Sequence, residues 1–319
     1  MQTLSVAQGT FNLARYPENK RDTLRAWDAA DEYLLHHVSA ESLPTAGSRT
    51  LILNDAWGAL STALADAAPW SMSDSFLSHR GTEANLARNG RSDSSVRLLS
   101  PLDKPDDSID LLLFKVPKSL SLLEDELHRL RPLLHAQTHI VGAGMVRDVH
   151  TSTLDLCKRL IGSTHTSLAQ KKARLIFSQL DTALDVGASP YPTAYSLEGT
   201  KLTLENAANV FSRQRLDNGT RLLLQHIPSL SGAPHIADLG CGNGVIGLVA
   251  AKRIPQAELL FVDESFMAVS SARANFQRAF AERSSRFAMD DGLESCPPNS
   301  LDLVLCNPPF HRQQSIDQT

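Results

Sequence analysis

The chain is 319 residues long, enough for two domains of ordinary size, each with its own core. Its 31 Lys and Arg against 35 Asp and Glu leave a formal charge of −4, which argues against a simple polycationic nucleic-acid binder. No apolar run approaches the ~18 residues of a membrane-spanning helix, and residues 1–15 lack the apolar core of a secretory signal. Four cysteines (Cys157, Cys241, Cys296, Cys306) lie far apart, without the CxxC spacing of a metal site. They read as reduced thiols of a cytoplasmic protein with no metal centre.

Apolar runs alternate with longer amphipathic stretches throughout, the pattern of a mostly parallel sheet flanked by helices, so the fold class is α/β. Residues 50–55 are expected to form a strand ending in Asp55, followed by Ala56-Trp57-Gly58-Ala59 and a helix. Residues 71–74 read as the second strand, also ending in an acid, and residues 110–115 as a later one ending on Lys115. Further strands are expected at 139–142 and 174–180. The segment 187–192 carries a glycine and two prolines and reads as a linker, dividing the chain into 1–187 and 188–319.

Beyond the linker, residues 206–212 lead into a helix of roughly 217–226. Residues 236–239, 258–262, 286–289 and 301–306 read as strands, the last apolar enough to be central. Helices are expected at 245–253 and 265–282, the second capped by Ser265, with Met267, Ser271, Ala274 and Arg278 along one side. The same programme therefore runs twice. From Asp55 to Lys115 is 60 residues, from Asp238 to Asn307 is 69, and Asp110-Leu-Leu-Leu-Phe-Lys115 aligns with Asp302-Leu-Val-Leu-Cys-Asn307. This reads as a duplication. The first copy runs 65 residues past Lys115 to Leu180, whereas the second stops nine residues after Phe310. By that analogy the second copy is expected to be truncated after its fourth strand, left as an unprotected edge.

The chemistry concentrates in the second copy. Asp238-Leu-Gly-Cys-Gly-Asn-Gly244 follows a strand, and Gly240, Gly242 and Gly244 let backbone approach a ligand closely. Asp263 ends the next strand, where a carboxylate suits the two hydroxyl donors of a ribose. Asp291, with Asp290 as the fallback, ends the third strand and can accept from an exocyclic adenine amine. Asp238 is placed to help hold an ammonium group; Phe211 and Ser212 are candidates for lining the pocket. No phosphate-stabilising partner follows the turn, which points away from a dinucleotide and toward S-adenosylmethionine.

Asn307-Pro308-Pro309-Phe310 is the most specific feature. An amino group conjugated to a ring is a poor nucleophile because its lone pair is delocalised. Two acceptors aimed at its hydrogens, the Asn307 side-chain oxygen and the Pro308 carbonyl, would pull it toward tetrahedral geometry. The paired prolines fix the turn and offer no competing donors, and Phe310 offers a face for stacking a flipped-out base. His311 reads as a surface residue.

The first copy keeps Gly58 but lacks the three-glycine turn, and Trp57 would stand near the donor's path. Residues 110–180 carry ten Lys and Arg against six Asp and Glu, leaving the rest of the chain at about −8. Lys115, Lys118, Arg147, Lys171, Lys172 and Arg174 are the candidate RNA contacts of a domain that kept the fold and lost the donor site.

These motifs resemble the tandem-domain ribosomal RNA guanine-N2 methyltransferases. The likeness rests on Asp238-Leu-Gly-Cys-Gly-Asn-Gly-Val-Ile-Gly247, Val262-Asp-Glu-Ser265, Asn209-Val-Phe-Ser212 and Asn307-Pro-Pro-Phe-His311. In the first copy, Ala26-Trp-Asp-Ala-Ala-Asp-Glu-Tyr-Leu-Leu35, Leu51-Ile-Leu-Asn-Asp55, Lys115-Val-Pro-Lys118 and His150-Thr-Ser-Thr153 are similar to the large-subunit (23S) methyltransferase G group. The resemblance implies two tandem class I (Rossmann-like) methyltransferase domains, the first degenerate and the second catalytic. It also implies methylation of one guanine N2 in 23S rRNA, free or in a large-subunit precursor. Alternatives of the same chemistry are adenine N6 and a protein glutamine amide. A different class is a truncated, inactive RNA-binding module.

Overall fold

The computed structural model describes residues 2–19 and 21–308, so Pro309, Phe310 and His311 lie outside the described residues. Two compact units divide the chain, residues 1–191 and 192–319. The first contains strands β1 (Gln2–Val6), β2 (Gly9–Leu13), β3 (Thr50–Leu53), β4 (Trp70–Met72), β5 (Arg97–Leu99), β6 (Ile109–Lys115), β7 (Leu134–Met145), β8 (Thr164–Thr166) and β9 (Ala173–Ser178). Its helices are α1 (Ala29–Ala40), α2 (Ala59–Ala63), α3 (Phe76–Arg88), α4 (Leu120–Leu130) and α5 (Thr151–Leu160). The second contains β10 (Thr193–Ser196), β11 (Thr203–Asn206), β12 (His235–Leu239), β13 (Glu258–Asp263), β14 (Arg286–Met289) and β15 (Leu303–Cys306). Its helices are α6 (Asn218–Gln225), α7 (Val245–Arg253) and α8 (Phe266–Ala279).

The seven-stranded sheet of the first unit has the order β5-β4-β3-β6-β7-β9-β8, parallel except for β9, which runs antiparallel to both neighbours. The second unit has a parallel sheet ordered β14-β13-β12-β15. Its order matches the first four strands of the larger sheet. Strand order reverses between β3 and β6 in one unit and between β12 and β15 in the other. In open α/β sheets that reversal opens a crevice at the carboxyl ends of the strands. Register places the end of β3 beside the end of β6 (Leu53 opposite Phe114) and the end of β12 beside the end of β15 (Leu239 opposite Cys306).

Burial explains the layers. In the first unit one apolar cluster gathers Leu34, Leu35, Leu60 and Leu113 with the β1–β2 hairpin, and a second gathers Phe114, Leu123, Leu127 and Leu160. In the second unit Phe261, Leu248 and Phe276 centre the core between sheet and helices. Gly247 sits where a Cβ would stand 2.2 Å from the Phe261 ring, so α7 can approach the sheet only through a glycine.

The apolar run at β15 lies, among the described residues, at the sheet edge expected for the fourth strand and not at the centre its apolarity suggested, with Leu305 buried and Val304 43 % exposed. One expectation needs correction here. On α8, Ser265 caps as expected, accepting from the Ala268 N–H at 3.0 Å, but Ala274 and Arg278 face solvent. The inward stripe runs Met267, Ser271, Asn275 and Ala268, Ala272, Phe276. A buried asparagine completes it, a residue type that a hydrophobic count passes over.

Candidate functional site

The glycine turn leaves β12 through three left-handed positions, Gly240 (φ 68°), Gly242 (φ 53°) and Gly244 (φ 81°). Gly240 and Gly242 need φ > 0 but face open space, where an added Cβ would meet nothing within 4 Å. At Gly244 the constraint is also steric, because a Cβ would stand 2.9 Å from the Ala272 side chain. The turn thus leaves room on one side and packs on α8 on the other.

Asp238 is fully buried, and its Oδ2 accepts the Gly247 N–H at 2.7 Å. Its Oδ1 has no partner among the described residues. Burial, with the Asp263 charge adding, pushes its pKa up to about 8. A buried acceptor without a donor is costly, and a ligand bringing a cationic donor would relieve it. The first unit supplies the contrast. Asp55 holds the start of α2 as Asp238 holds α7, but both its oxygens have partners, the Ala59 N–H on one and the Ser61 N–H and hydroxyl on the other, at 2.8–3.0 Å.

Asp263 accepts the Gly242 N–H at 2.9 Å and the Ser265 N–H at 3.0 Å, tying the turn to the end of β13. Burial raises its pKa, opposed by those N–H donors. A carboxylate has about four acceptor sites, so with the Glu264 backbone also donating, acceptor capacity remains for a ligand hydroxyl. The adjacent acids separate cleanly. Asp290 is consumed by its own turn, accepting from the Asp291 N–H and from the Ser295 N–H and hydroxyl at 2.7–2.9 Å. The Asp291 side chain is half-buried and makes no hydrogen bond among the described residues.

Asn307 follows β15, beside the turn that follows β12. Its Nδ2 donates to Asp217 Oδ2 at 2.8 Å and to Thr220 Oγ1 at 3.0 Å, and its Oδ1 lies over Gly219. Pro308 is exposed. Phe211 is 67 % exposed, so it is not core. Ser212 donates its hydroxyl to the Arg215 carbonyl at 2.7 Å.

One buried network escapes sequence reading. Asn243 Nδ2 donates to Asn206 Oδ1 at 2.8 Å and to the Tyr195 hydroxyl at 3.1 Å. Asn275 Nδ2 donates to the Asn243 carbonyl at 3.0 Å and the Glu205 carbonyl at 2.9 Å. These amides bolt the glycine turn to the β10–β11 hairpin and to α8. The available signal was three asparagines set among apolar positions of elements otherwise buried.

The candidate RNA contacts divide. Lys115 is not a surface cation: its side chain is 13 % exposed and its Nζ pairs with Asp28 at 2.9 Å and Asp31 at 2.7 Å. Those charges overcome burial and raise its pKa. Lys118 and Lys172 are exposed, Arg147 pairs with Asp148 at 3.7 Å, and Lys171 pairs with Glu32 at 2.9 Å. Arg174 is half-buried, with its Nε buried and unpaired. Trp57 lies under the Arg15 guanidinium at 5.3 Å, its ring against Gly81 of α3. Among the described residues no group of three His, Cys, Asp or Glu could hold a metal, and no helix is long and apolar enough to cross a membrane.

Comparison with known proteins places this geometry. Residues 1–182 match the family model of the RLMG N-terminal domain, and residues 201–319 that of the methyltransferase small domain. Among curated proteins, the ribosomal RNA large subunit methyltransferase G of Streptomyces avermitilis is 52 % identical, with 96 % of this chain and 82 % of that protein covered. The protein of the same name from Pseudomonas aeruginosa is 49 % identical, again covering 96 % and 82 %. Among solved structures, the T. thermophilus 16S rRNA N2 G1207 methyltransferase, in complex with AdoMet and guanosine, superposes with a TM-score of 0.72 at 19 % identity. It covers 98 % of this chain and 81 % of that one, and shares the α/β methyltransferase fold. The chain belongs to the ribosomal RNA large subunit methyltransferase G family.

Proposed function

We propose that the second unit binds S-adenosylmethionine and methylates the exocyclic N2 of one guanine in 23S rRNA, free or in a large-subunit precursor. The observation that carries this reading is the emergence of Asn307 and the glycine turn side by side at one sheet edge. The residues fit the donor. The open side of Gly240 and Gly242 admits its backbone-hugging portion, unpaired Asp238 Oδ1 suits its ammonium, Asp263 its ribose and Asp291 its adenine amine. When bound, the sulfonium supplies an electrophilic methyl group. Asn307 Oδ1 and the Pro308 carbonyl accept hydrogen bonds from the acceptor amine and localise its lone pair, while Phe310 stacks the extruded base. No strong general base is required, because a methylated ammonium sheds its proton readily. Rate comes mainly from alignment.

The buried Asp238 makes a testable link to pH. Its carboxyl, near 8 in the free chain, is mostly protonated at pH 7. An ammonium favours the carboxylate, so donor binding releases a proton. Affinity should therefore rise by up to about tenfold per pH unit from pH 6 toward 8 and then level. Calorimetry in two buffers of different ionisation heat checks this; equal heats and a flat affinity would count against Asp238 as the ammonium ligand. Absence of any heat would favour an inactive RNA-binding module. Methyl label recovered on protein and not on RNA would redirect the reading to a glutamine amide.

The first unit is, on this reading, a duplicate that kept the fold, lost the donor site and presents RNA-binding cations; the work then lies in the cytoplasm, with ribosome precursors. The best-placed cations are Lys171 (φ 47°) and Lys172 (φ 62°), both left-handed at the hairpin tip between Gln170 and Ala173. Such a tip favours Asn-Gly, and lysines there cost roughly 1–2 kcal/mol each. Replacing them together, Lys171→Asn with Lys172→Gly, should raise the thermal midpoint and weaken RNA binding. A more stable variant with unchanged RNA affinity would remove the tip from the RNA surface.

A further inference from the structure

Asn307 does not stand free at the end of its strand. Asp217 caps α6, its Oδ1 accepting the Gly219 N–H at 3.2 Å and its Oδ2 the Thr220 N–H at 2.8 Å. The same Oδ2 accepts from Asn307 Nδ2, and Thr220 Oγ1 accepts from it as well. Burial opposes ionisation of Asp217, but the Thr220 and Gly219 donors and the Asn307 amide hold its pKa below the ordinary value. It is an acceptor with no proton to give, so only the nitrogen end of the Asn307 amide can face it. The oxygen end is left for another donor. Gly219 makes the approach possible, since a Cβ there would stand 2.7 Å from Asn307 Oδ1.

The first unit repeats the arrangement with different chemistry. Asp217 and Thr220 are the cap and third residue of α6; Asp28 and Asp31 are the cap and third residue of α1. Asp28 and Asp31 grip Lys115, the last residue of β6, as Asp217 and Thr220 grip Asn307 after β15. Each unit therefore clamps the exit of its fourth sheet strand, by sequence order within the repeat, from the same two helix positions. In one unit the clamp ends in a closed ion pair. In the other it ends in an amide whose oxygen accepts no hydrogen bond among the described residues.

We propose that Asp217, with Thr220 and Gly219, is the positioning device that turns the Asn307 amide oxygen toward the acceptor amine. The inference rests on the reading of Asn307 as an amine ligand. It separates two roles of Asp217, capping a helix and orienting an amide, and the two can be tested apart. In the full-length chain, Asp217→Ser keeps a good cap but is too short to reach Asn307. Its expected effect is a tenfold to hundredfold loss of kcat on unmodified rRNA. The KM for S-adenosylmethionine and the thermal midpoint should stay near wild type. Thr220→Val should lose kcat in the same way, and Thr220→Ser should restore it. Gly219→Ala should displace the amide and lose kcat with donor affinity retained. If Asp217→Ser fails to fold, the Thr220→Val and Thr220→Ser pair decides. Wild-type kcat in Asp217→Ser and Thr220→Val, beside an inactive Asn307→Ala, would overturn this inference alone. Full activity in Asn307→Ala would overturn the reading beneath it.

Discussion

Asn307→Ala is expected to lose methyl transfer to unmodified rRNA by about 10²–10³-fold, the size of effect seen when one preorganised polar contact to a reacting group is deleted. Donor affinity should remain, because the glycine turn, Asp238 and Asp263 are held by contacts that do not include Asn307. Those contacts are the Gly247 and Gly242 N–H groups and the buried Asn206, Asn243 and Asn275 amides. Single-turnover rates with calorimetric donor binding separate the two quantities. A variant with both affinity and rate intact would show that the amine is prepared elsewhere. A variant losing both in proportion would make Asn307 a structural tie between β15 and α6.

The largest effect on stability is expected from Lys115→Met. The lysine neutralises two carboxylates, one of them almost fully buried, and removing it leaves that charge uncompensated. Breaking one partner of a buried pair typically costs about 3–5 kcal/mol. The cost should depend on pH. Burial pushes the Asp31 carboxyl up to about 6 even with the lysine beside it. A carboxyl whose folded pKa lies above its unfolded value subtracts stability as pH rises from about 4 through the folded value. Without the lysine the upper end of that window rises, so the deficit against wild type should be small near pH 5 and grow as pH rises past about 6. Trp27, Trp57 and Trp70 all lie in the first unit, so tryptophan fluorescence during urea unfolding reports on it directly. Unchanged unfolding with weakened RNA binding would instead make Lys115 a phosphate contact.

These cases show why the sequence was informative in some places and silent in others. The glycine turn, the helix at Val245–Arg253 and the strand at Arg286–Met289 follow from local rules, and the structure places them at the expected residues. Asp217 and Ser265 announce helix starts because capping is a contact two or three residues long. Lys115 was misread because its partners lie 87 and 84 residues upstream, at the cap and in the first turn of α1, and a lysine at a strand end looks the same whether free or paired. Which of Asp290 and Asp291 is spent on its own turn depended on Ser295, four and five residues on. The β1–β2 hairpin does alternate, with Leu4, Phe11 and Leu13 buried against exposed Thr3, Ser5 and Asn12. That signal was overlooked because each run is only five residues long. The Asn206–Asn243–Asn275 network left only the weak signal of buried asparagines; its members are 32 and 37 residues apart and pair only in the fold.

Unmodified 23S rRNA, incubated with the chain and S-adenosylmethionine carrying an isotopically labelled methyl group, can be digested to nucleosides and read by mass spectrometry. An amine prepared at the Asn307–Pro308 corner in a guanine-accepting site yields the label in N2-methylguanosine and nowhere else, and the Asn307→Ala variant accumulates it about 10²–10³-fold more slowly. Label in N6-methyladenosine, on a ring carbon or on a ribose hydroxyl would contradict the assignment of that corner to a guanine exocyclic amine.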